Sequence, residues 1–230
     1  MNKLNLISIR RIIFFSLIPI LFSFSAQADD AAGKVIKAKG KVFAQIEGQD
    51  KRALRIGKPI FVKDNITTEK DSNATLMFTD KTRFELGPGS VLKVNEYLYS
   101  NNPDEDGSSV EVLSGTFRFV SGLIAKEKPE SMEVNTSVAT IGIRGTNVVG
   151  EVDETSATII LDNPEDSGRK SAIEVSNSFG SVTIDEPGYG TEIPDKFSPP
   201  SPPRRMSLQT INNLTRSLQS IQRMNIPRPR

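Results

Sequence analysis

Short segments in which apolar and polar residues alternate run through most of the chain after residue 30. Residues 74–79 and 82–86 give the clearest case, with a polar turn at residues 80–81 between them. The positions that share one face are all apolar: Ala74, Leu76, Phe78, Phe84 and Leu86. A period of two is typical of half-buried β-strands, so these two segments predict a β-hairpin.

The same alternation predicts further strands as far as residue 184. They cover residues 35–38, 42–45, 56–68, 90–97, 109–113, 115–120, 132–136, 157–161, 172–176 and 181–184. The first two flank Lys39-Gly40-Lys41, as strands joined by a tight hairpin turn would, whereas residues 46–55 are polar and predict a loop. Because helix-favouring runs are scarce, the pattern predicts an all-β domain.

Glycine followed by serine or threonine and then by alternating apolar residues recurs along the chain. The glycines are Gly89, Gly115, Gly145 and Gly180, at intervals of 26, 30 and 35 residues. These intervals fit a roll- or solenoid-like coil of strands in which each circuit begins at a glycine corner. The alternative is that glycine followed by serine or threonine is simply a common way to begin a strand.

The most unusual stretch is residues 137–149, in which two glycines bracket an arginine between strand-forming residues. We predict that it contributes the structural signature of the fold, consisting of Thr140, Gly142, Arg144, Gly145 and Thr146. Arg144 could bind a carboxylate or phosphate of a ligand. Internal pairing with an acid or with backbone carbonyls is favoured, because a charge held between strands costs stability unless it is paired. This interpretation predicts that Arg144→Ala lowers stability.

The composition changes at residue 194. Five prolines in residues 194–203 predict a stiff, extended linker. Residues 207–221 then place an apolar residue every three or four positions, which predicts a helix with one apolar stripe and Ser207 as its N-cap. This helix either docks on the β body or contacts a partner or an anionic membrane surface. The second alternative would use Arg204, Arg205, Leu208, Ile211, Leu214 and Leu218, with Arg216, Arg223, Arg228 and Arg230 nearby.

Residues 1–28 have the three parts of a secretory signal peptide. Basic residues stand at positions 3, 10 and 11, an apolar segment covers residues 12–24, and Ala26-Gln27-Ala28 is a cleavage signal. The apolar run is short for a membrane span, which needs about 20 residues. We therefore expect an exported protein, periplasmic or extracellular after cleavage. The alternative is a retained membrane anchor.

Composition excludes most catalytic chemistry. The 230 residues include no Cys and no His, so Ser-His-Asp triads, thiol nucleophiles and the usual zinc sites are excluded. A carboxylate pair could hydrolyse glycosides, but nothing in the sequence selects one. The acidic residues 104–106 lack the ligand spacing of a calcium loop. We expect no enzymatic activity, no cofactor and no metal site.

Charge is distributed unevenly along the chain. Residues 29–193 hold 19 Lys and Arg against 27 Asp and Glu, a net charge of −8. Residues 194–230 hold seven basic residues against Asp195 alone. An acidic body with a basic tail argues against a nucleic-acid-binding core.

Residues 138–148, Val138-Ala-Thr-Ile-Gly-Ile-Arg-Gly-Thr-Asn-Val148, resemble the FecR-domain family, whose members carry a closely similar Ala-Thr-x-Gly-x-Arg-Gly-Thr core. Residues 67–94 and 115–119 resemble family segments that precede this core. The resemblance covers about residues 60–160 and implies an all-β, roll-like, extracytoplasmic domain. The better-known members are inner-membrane regulators of iron uptake that relay the state of an outer-membrane transporter to a cytoplasmic sigma factor.

This chain departs from that layout, because only residues 1–11 precede the apolar leader and no second signalling domain is obvious. We therefore expect three parts: a signal peptide (1–28), a FecR-like β domain (29–193), and a Pro-rich linker with a basic helix (194–230). The leading hypothesis is an exported, non-enzymatic module that binds a protein or glycan of the cell envelope, with peripheral membrane contact through its tail. The alternative is a regulatory component of a transmembrane signal relay.

Overall fold

The computed structural model describes residues 31–100, 102, 104–162 and 171–219. The predicted signal peptide over residues 1–28 lies outside the described residues, as do Ile221, Arg223, Arg228 and Arg230 at the C-terminus. Within the described ranges, no helix is long and apolar enough to cross a membrane.

Two β-sheets form the body, and both contain the long strand β9 (Gly107–Val120). In spatial order the first sheet contains β4 (Pro59–Ile60), β1 (Gly33–Lys39), β6 (Asn73–Phe78), β7 (Arg83–Leu86), the second half of β9, β12 (Asn147–Val152), β13 (Ala157–Asp162), β16 (Tyr189–Ile193) and β17 (Arg204–Arg205). The second contains β3 (Arg52–Ala53), β2 (Val42–Gln45), β5 (Asn65–Thr68), β8 (Val91–Leu98), the first half of β9, β10 (Met132–Thr136), β11 (Thr140–Arg144), β14 (Ala172–Asn177) and β15 (Gly180–Ile184).

The chain passes repeatedly from one sheet to the other. Each sheet therefore receives new strands as the chain proceeds. All pairings among the described strands are antiparallel except that of β9 with β10. Two helices complete the described part: α1 (Leu123–Glu127), followed by a 3-10 turn (Pro129–Ser131), and α2 (Leu208–Gln219). The predicted all-β, roll-like fold is confirmed.

Left-handed backbone conformations mark the corners at which the chain changes sheet. Positive φ angles occur at Gly40, Gly57, Lys63, Asp71, Gly89, Gly115, Gly145 and Gly188. Three of the four predicted glycine corners are among them; Gly180 instead begins β15 inside a hairpin. Gly115 is the sharpest case, because a Cβ atom there would lie 2.3 Å from Oγ and 2.5 Å from Cα of Ser90. Only glycine therefore allows β9 to cross between the sheets at this point.

The core lies between the two sheets and is built from their inward positions. The predicted hairpin is present, with Leu76 opposite Phe84, and both side chains are buried. Phe84 also stacks edge-to-face on Phe119 of β9, with ring centroids 5.0 Å apart. Since aromatic rings bury more apolar area than other side chains, this cluster contributes strongly to stability.

One predicted hairpin is wrong. Residues 35–38 and 42–45 form β1 and β2, but these strands lie in different sheets. β1 pairs with β6, and β2 pairs with β5. Gly40, with φ +72°, turns the chain out of the first sheet instead of folding it back along β1. The predicted loop 46–55 contains β3 and the buried side chain of Leu54.

The C-terminal segment is part of the body. The Pro-rich residues run along β16, where the Ser201 hydroxyl accepts a hydrogen bond from the Glu192 backbone N–H at 2.9 Å. The helix α2 lies on the outer face of the first sheet and covers an apolar cluster made of Val149, Ile160, Met206, Leu214 and Leu218. The docked alternative is thus the arrangement that the structure shows, because β12 and β13 have apolar residues on both faces and need a cover.

The turn between β6 and β7 anchors α1 through the buried side chain of Asp80. Its carboxylate accepts hydrogen bonds from the Thr82 backbone N–H (2.9 Å), the Thr82 hydroxyl (2.7 Å) and the Tyr97 hydroxyl (2.9 Å). It also accepts one from the backbone N–H of Ile124 at 3.3 Å. Burial raises the pKa of the Tyr97 hydroxyl far above its usual range, so this group stays a hydrogen-bond donor. The network fixes α1 and the 3-10 turn that follows it.

Candidate partner-binding groove

The alternation along β11 divides the motif at residues 138–148 into two sets. Ile141 and Ile143 point into the core, whereas Thr140, Gly142 and Arg144 belong to the opposite, outer face of the second sheet. The residues that follow serve the fold. Gly145, with φ +59°, turns the chain into the first sheet, and Thr146 is buried.

Gly142 leaves a depression in this outer face. Its cross-strand neighbours are Glu133 of β10 and Glu174 of β14. Since glycine has no side chain, the space between the two glutamates stays open and forms a shallow groove of about 530 Å³. We call this the β11 groove; its lining also includes Glu130, Thr140, Arg144 and Ser176.

Gly142 is not required by the backbone. Its φ is not positive, and the nearest atom to an added Cβ would be the Glu174 carbonyl oxygen, at 3.9 Å. Of the two glycines in the signature, only Gly145 is therefore required by the backbone conformation.

Arg144 does not have the internal partner that was expected of it. Its side chain is exposed and makes no ion pair or hydrogen bond with any described residue. The reason is its position: it ends β11 on the outer face, and its cross-strand neighbour on β14 is Ala172, which carries no charge. The expectation that Arg144→Ala lowers stability therefore loses its basis.

Among the described lining residues, the groove is acidic with one cation at its end. Glu130, Glu133 and Glu174 contribute carboxylates, and Arg144 contributes a guanidinium. The Thr140 hydroxyl donates to the Asn135 side-chain oxygen at 2.7 Å, which orients both polar groups beside the groove. Carboxylates, hydroxyls and one guanidinium can bind polar and charged groups of another molecule, and the separated charges favour an oriented contact.

The predicted contact residues of the tail are divided by the structure. Leu214 and Leu218 of α2 are buried between the helix and the first sheet, and Ile211 packs against the same cluster. These side chains therefore contact the body of the molecule and are not available to a partner. Leu208 is 76% exposed. Arg204 pairs with Glu192 at 2.7 Å between Nη2 and Oε1, and Arg205 is exposed on β17.

Sequence reasoning missed the two glutamates beside Gly142. Glu133 and Glu174 occupy polar positions of predicted strands, but they lie 9 residues before and 32 residues after Gly142. Nothing in the local pattern indicates that β10, β11 and β14 are adjacent, because strand order depends on long-range pairing. It also missed an exposed aromatic pair, Phe179 and Phe197, whose ring centroids are 6.4 Å apart.

The protein is an all-β roll with a polar groove on the outer face of its second sheet. Residues 64–163 match the family model described as FecR protein. The chain therefore carries a FecR domain, as the motif at residues 138–148 predicts. The match extends from the end of the β4–β5 connection to the end of β13.

Two crystal structures of a candidate anti-sigma factor from Parabacteroides distasonis are similar to this chain. The one at 2.50 Å resolution has a TM-score of 0.50 and 13% identity, and the one at 1.65 Å has 0.49 and 12%. Each alignment covers 66% of this chain and 64% of the other, so the chain spans about two thirds of their length. At this identity the likeness shows the fold alone. No curated protein matches the chain.

Proposed function

We propose that this protein is an extracytoplasmic component of a signal relay in the cell envelope, and that its FecR domain binds a protein partner through the β11 groove. The observation that carries the proposal is the division of the FecR motif. The buried residues of the motif, Ile141, Ile143 and Thr146, build the corner of the fold. Thr140, Gly142 and Arg144 lie on the outer face of β11 and line the groove. A contact role accounts for these outward residues.

The signalling role is supported by the FecR domain, because the family resemblance implies regulators that relay a signal across the envelope. The likeness in fold to a candidate anti-sigma factor agrees with such a role. Export through the predicted signal at residues 1–28 belongs to the proposal, since the partner is expected outside the cytoplasm.

A protein partner is favoured over a glycan. The described lining of the groove combines charged and small polar side chains with Pro129, Met132 and Ile143, and it contains no aromatic ring on which a sugar could stack. We also propose that the domain has no enzymatic activity and needs no cofactor. The groove brings together carboxylates, a guanidinium and hydroxyls, without a thiol or an imidazole to act as nucleophile or base.

Site-specific photo-crosslinking in living cells tests the partner contact. A photo-reactive amino acid is placed at Thr140 or Ser176, which face each other across β11 and β14 next to the Gly142–Glu174 pair, or at exposed Lys34 in the first sheet as a control. We expect a discrete crosslinked product from the two groove positions only. Arg144→Glu should remove this product while the protein level and melting temperature stay unchanged, because Arg144 makes no hydrogen bond or ion pair with a described residue.

Transcript profiling then separates signalling from simple binding. If the domain belongs to a relay, deletion of the protein and the Arg144→Glu variant should change the same set of transcripts. A crosslinked partner without any transcript change would support the exported binding module instead. Equal crosslinking from Lys34 and from the groove positions would refute the β11 groove as the contact surface.

A further inference from the structure

β15 ends the second sheet and has one unpaired side. It forms a hairpin with β14 through the two-residue turn Ser178-Phe179, with Asn177 opposite Gly180. In this register Gly180, Val182 and Ile184 direct their backbone groups toward β14. The N–H and C=O groups of Ser181 and Thr183 point the other way, and no backbone group in the described part of the chain pairs with them.

In the described part of the chain, the only group close to this strand's start is Pro199, whose Cβ would lie 3.3 Å from a Cβ added at Gly180, and the strand itself carries no protection against pairing. The other described edge strands, β3, β4 and β17, have two residues each. β15 has five residues, Gly-Ser-Val-Thr-Ile, with no charge, no proline and no register shift against β14. An edge of this kind is a template for an additional strand.

The surroundings of β15 define the chemistry of such a strand. Its outer face carries the exposed side chains of Ser181 and Thr183, and Glu174 lies directly across from Thr183. Two more acids, Asp185 and Glu186, follow the strand. Its inner face carries Val182 and Ile184, which pack with the core. An added strand would therefore place alternate side chains beside carboxylates and beside apolar surface.

We propose that β15 is a docking edge for an extended segment of a partner protein in which basic and apolar residues alternate. The segment would add to the second sheet by main-chain hydrogen bonds to Ser181 and Thr183, with a long basic side chain beside Thr183 that extends toward Glu174. The exposed rings of Phe179 and Phe197, 49% and 78% accessible, extend the apolar contact at the turn end of the hairpin. Charge complementarity favours this occupant over a second copy, because residues 29–193 carry a net charge of −8.

The main-chain contact does not use the β11 groove: Glu174 is shared by both surfaces, but Thr183 is not part of the groove lining, so substitutions at Thr183 let the two proposals fail separately. The probes are a six-residue peptide of alternating lysine and valine and its analogue with glutamate in place of lysine. Binding is measured by fluorescence anisotropy, and hydrogen exchange of the Ser181 and Thr183 amides locates the contact. We expect the lysine peptide to bind and to protect these two amides, and the glutamate peptide to do neither.

Two substitutions at one position isolate the backbone contact. Thr183→Pro removes the outward N–H and leaves every pairing with β14 intact, whereas Thr183→Val keeps that N–H. We expect Thr183→Pro to weaken binding about tenfold, since it removes one hydrogen bond and crowds the edge. Thr183→Val should change affinity less than about twofold. Glu174→Gln should weaken binding less than about twofold, because Glu174 lies on β14, two strand spacings from the added segment.

Several results would overturn the proposal. Equal affinity of Thr183→Pro and Thr183→Val would exclude main-chain pairing, as would the absence of amide protection in the presence of the lysine peptide. Should Thr183→Pro fail to fold, a lysine peptide methylated on alternate backbone nitrogens provides the same test, and its undiminished binding would exclude strand addition. Dimerisation of the unliganded protein through β15, detected by sedimentation, would assign the edge to a second copy instead.

Discussion

Replacing Leu214 by alanine tests whether α2 stabilises the β roll. Leu214 is 4% exposed and packs with Val149 and Ile160 of the first sheet. Leu208, at the start of the same helix, is 76% exposed and serves as the matched control. Both substitutions remove the same atoms from a helical residue, so the difference between them reports burial.

The expected magnitude follows from the contacts of the helix. Leucine-to-alanine substitutions at buried sites cost about 2–5 kcal/mol, and the cost falls where neighbours can relax. Leu214 belongs to a single surface helix and packs between that helix and the first sheet. We therefore expect Leu214→Ala to lower the free energy of unfolding by about 2–3 kcal/mol. Leu208→Ala should cost less than about 0.5 kcal/mol. For a chain of this length 1 kcal/mol shifts Tm by about 2–4 °C, which gives a decrease of about 4–12 °C for Leu214→Ala.

Thermal unfolding followed by circular dichroism measures the shift, and hydrogen exchange of the α2 amides shows whether the helix is released. A hydrogen bond from the Asn73 side-chain amide to the Leu218 carbonyl, 3.3 Å long, offers a second sign of docking. If both variants melt within about 1 °C of the unmodified protein, α2 does not stabilise the body and the docked arrangement is refuted.

Two sets of substitutions and one titration test the frame of the molecule. Gly115→Ala should lower the free energy of unfolding in urea by at least about 3 kcal/mol, because residue 115 has a left-handed backbone and the added Cβ would collide with Ser90. Gly48→Ala should lower it by about 1–2 kcal/mol, because residue 48 is also left-handed but has open space around it. Equal costs would contradict the close approach of the sheets. Asp80→Ala leaves four donors around a buried site and should cost about 3 kcal/mol; an unchanged urea midpoint would show that the network is dispensable. The pKa of Asp195 is lowered mainly by a hydrogen bond from the Phe197 backbone N–H and next by one from the Ser198 hydroxyl. Because the pKa in the folded state lies below the usual 3.8, Asp195 contributes fully to folding stability above pH 3.8, and this contribution is lost as the pH falls through the folded-state pKa. An NMR titration that gives Asp195 a pKa at or above 3.8 would refute this prediction.

The sequence by itself determined the class of the fold, several of its corners and the family. Period-two alternation gives strands because successive side chains point to opposite faces, and this property is local. Three recurrent glycines also mark true corners, since a positive φ depends on the residue at that position. The motif at residues 138–148 likewise indicated the FecR domain, which the family model confirms over residues 64–163.

Pairing between distant strands was decided only by the tertiary structure. β1 and β2 look like a hairpin locally, yet each finds a better partner in a different sheet. Arg144 could be recognised as unusual, but its exposure depends on which face of β11 it occupies and on Ala172 across from it. The β11 groove likewise exists only because β10 and β14 both lie beside β11.

The fate of the C-terminal segment shows the same division. An apolar stripe and a proline run predict a helix and an extended chain, and both are present. Whether the stripe faces the body or a partner depends on an unsatisfied apolar surface elsewhere in the molecule. The outer faces of β12 and β13 supply that surface through Val149 and Ile160, and burying it against α2 removes apolar area from water. Local sequence cannot report this surface, because it is created only when the two strands pair.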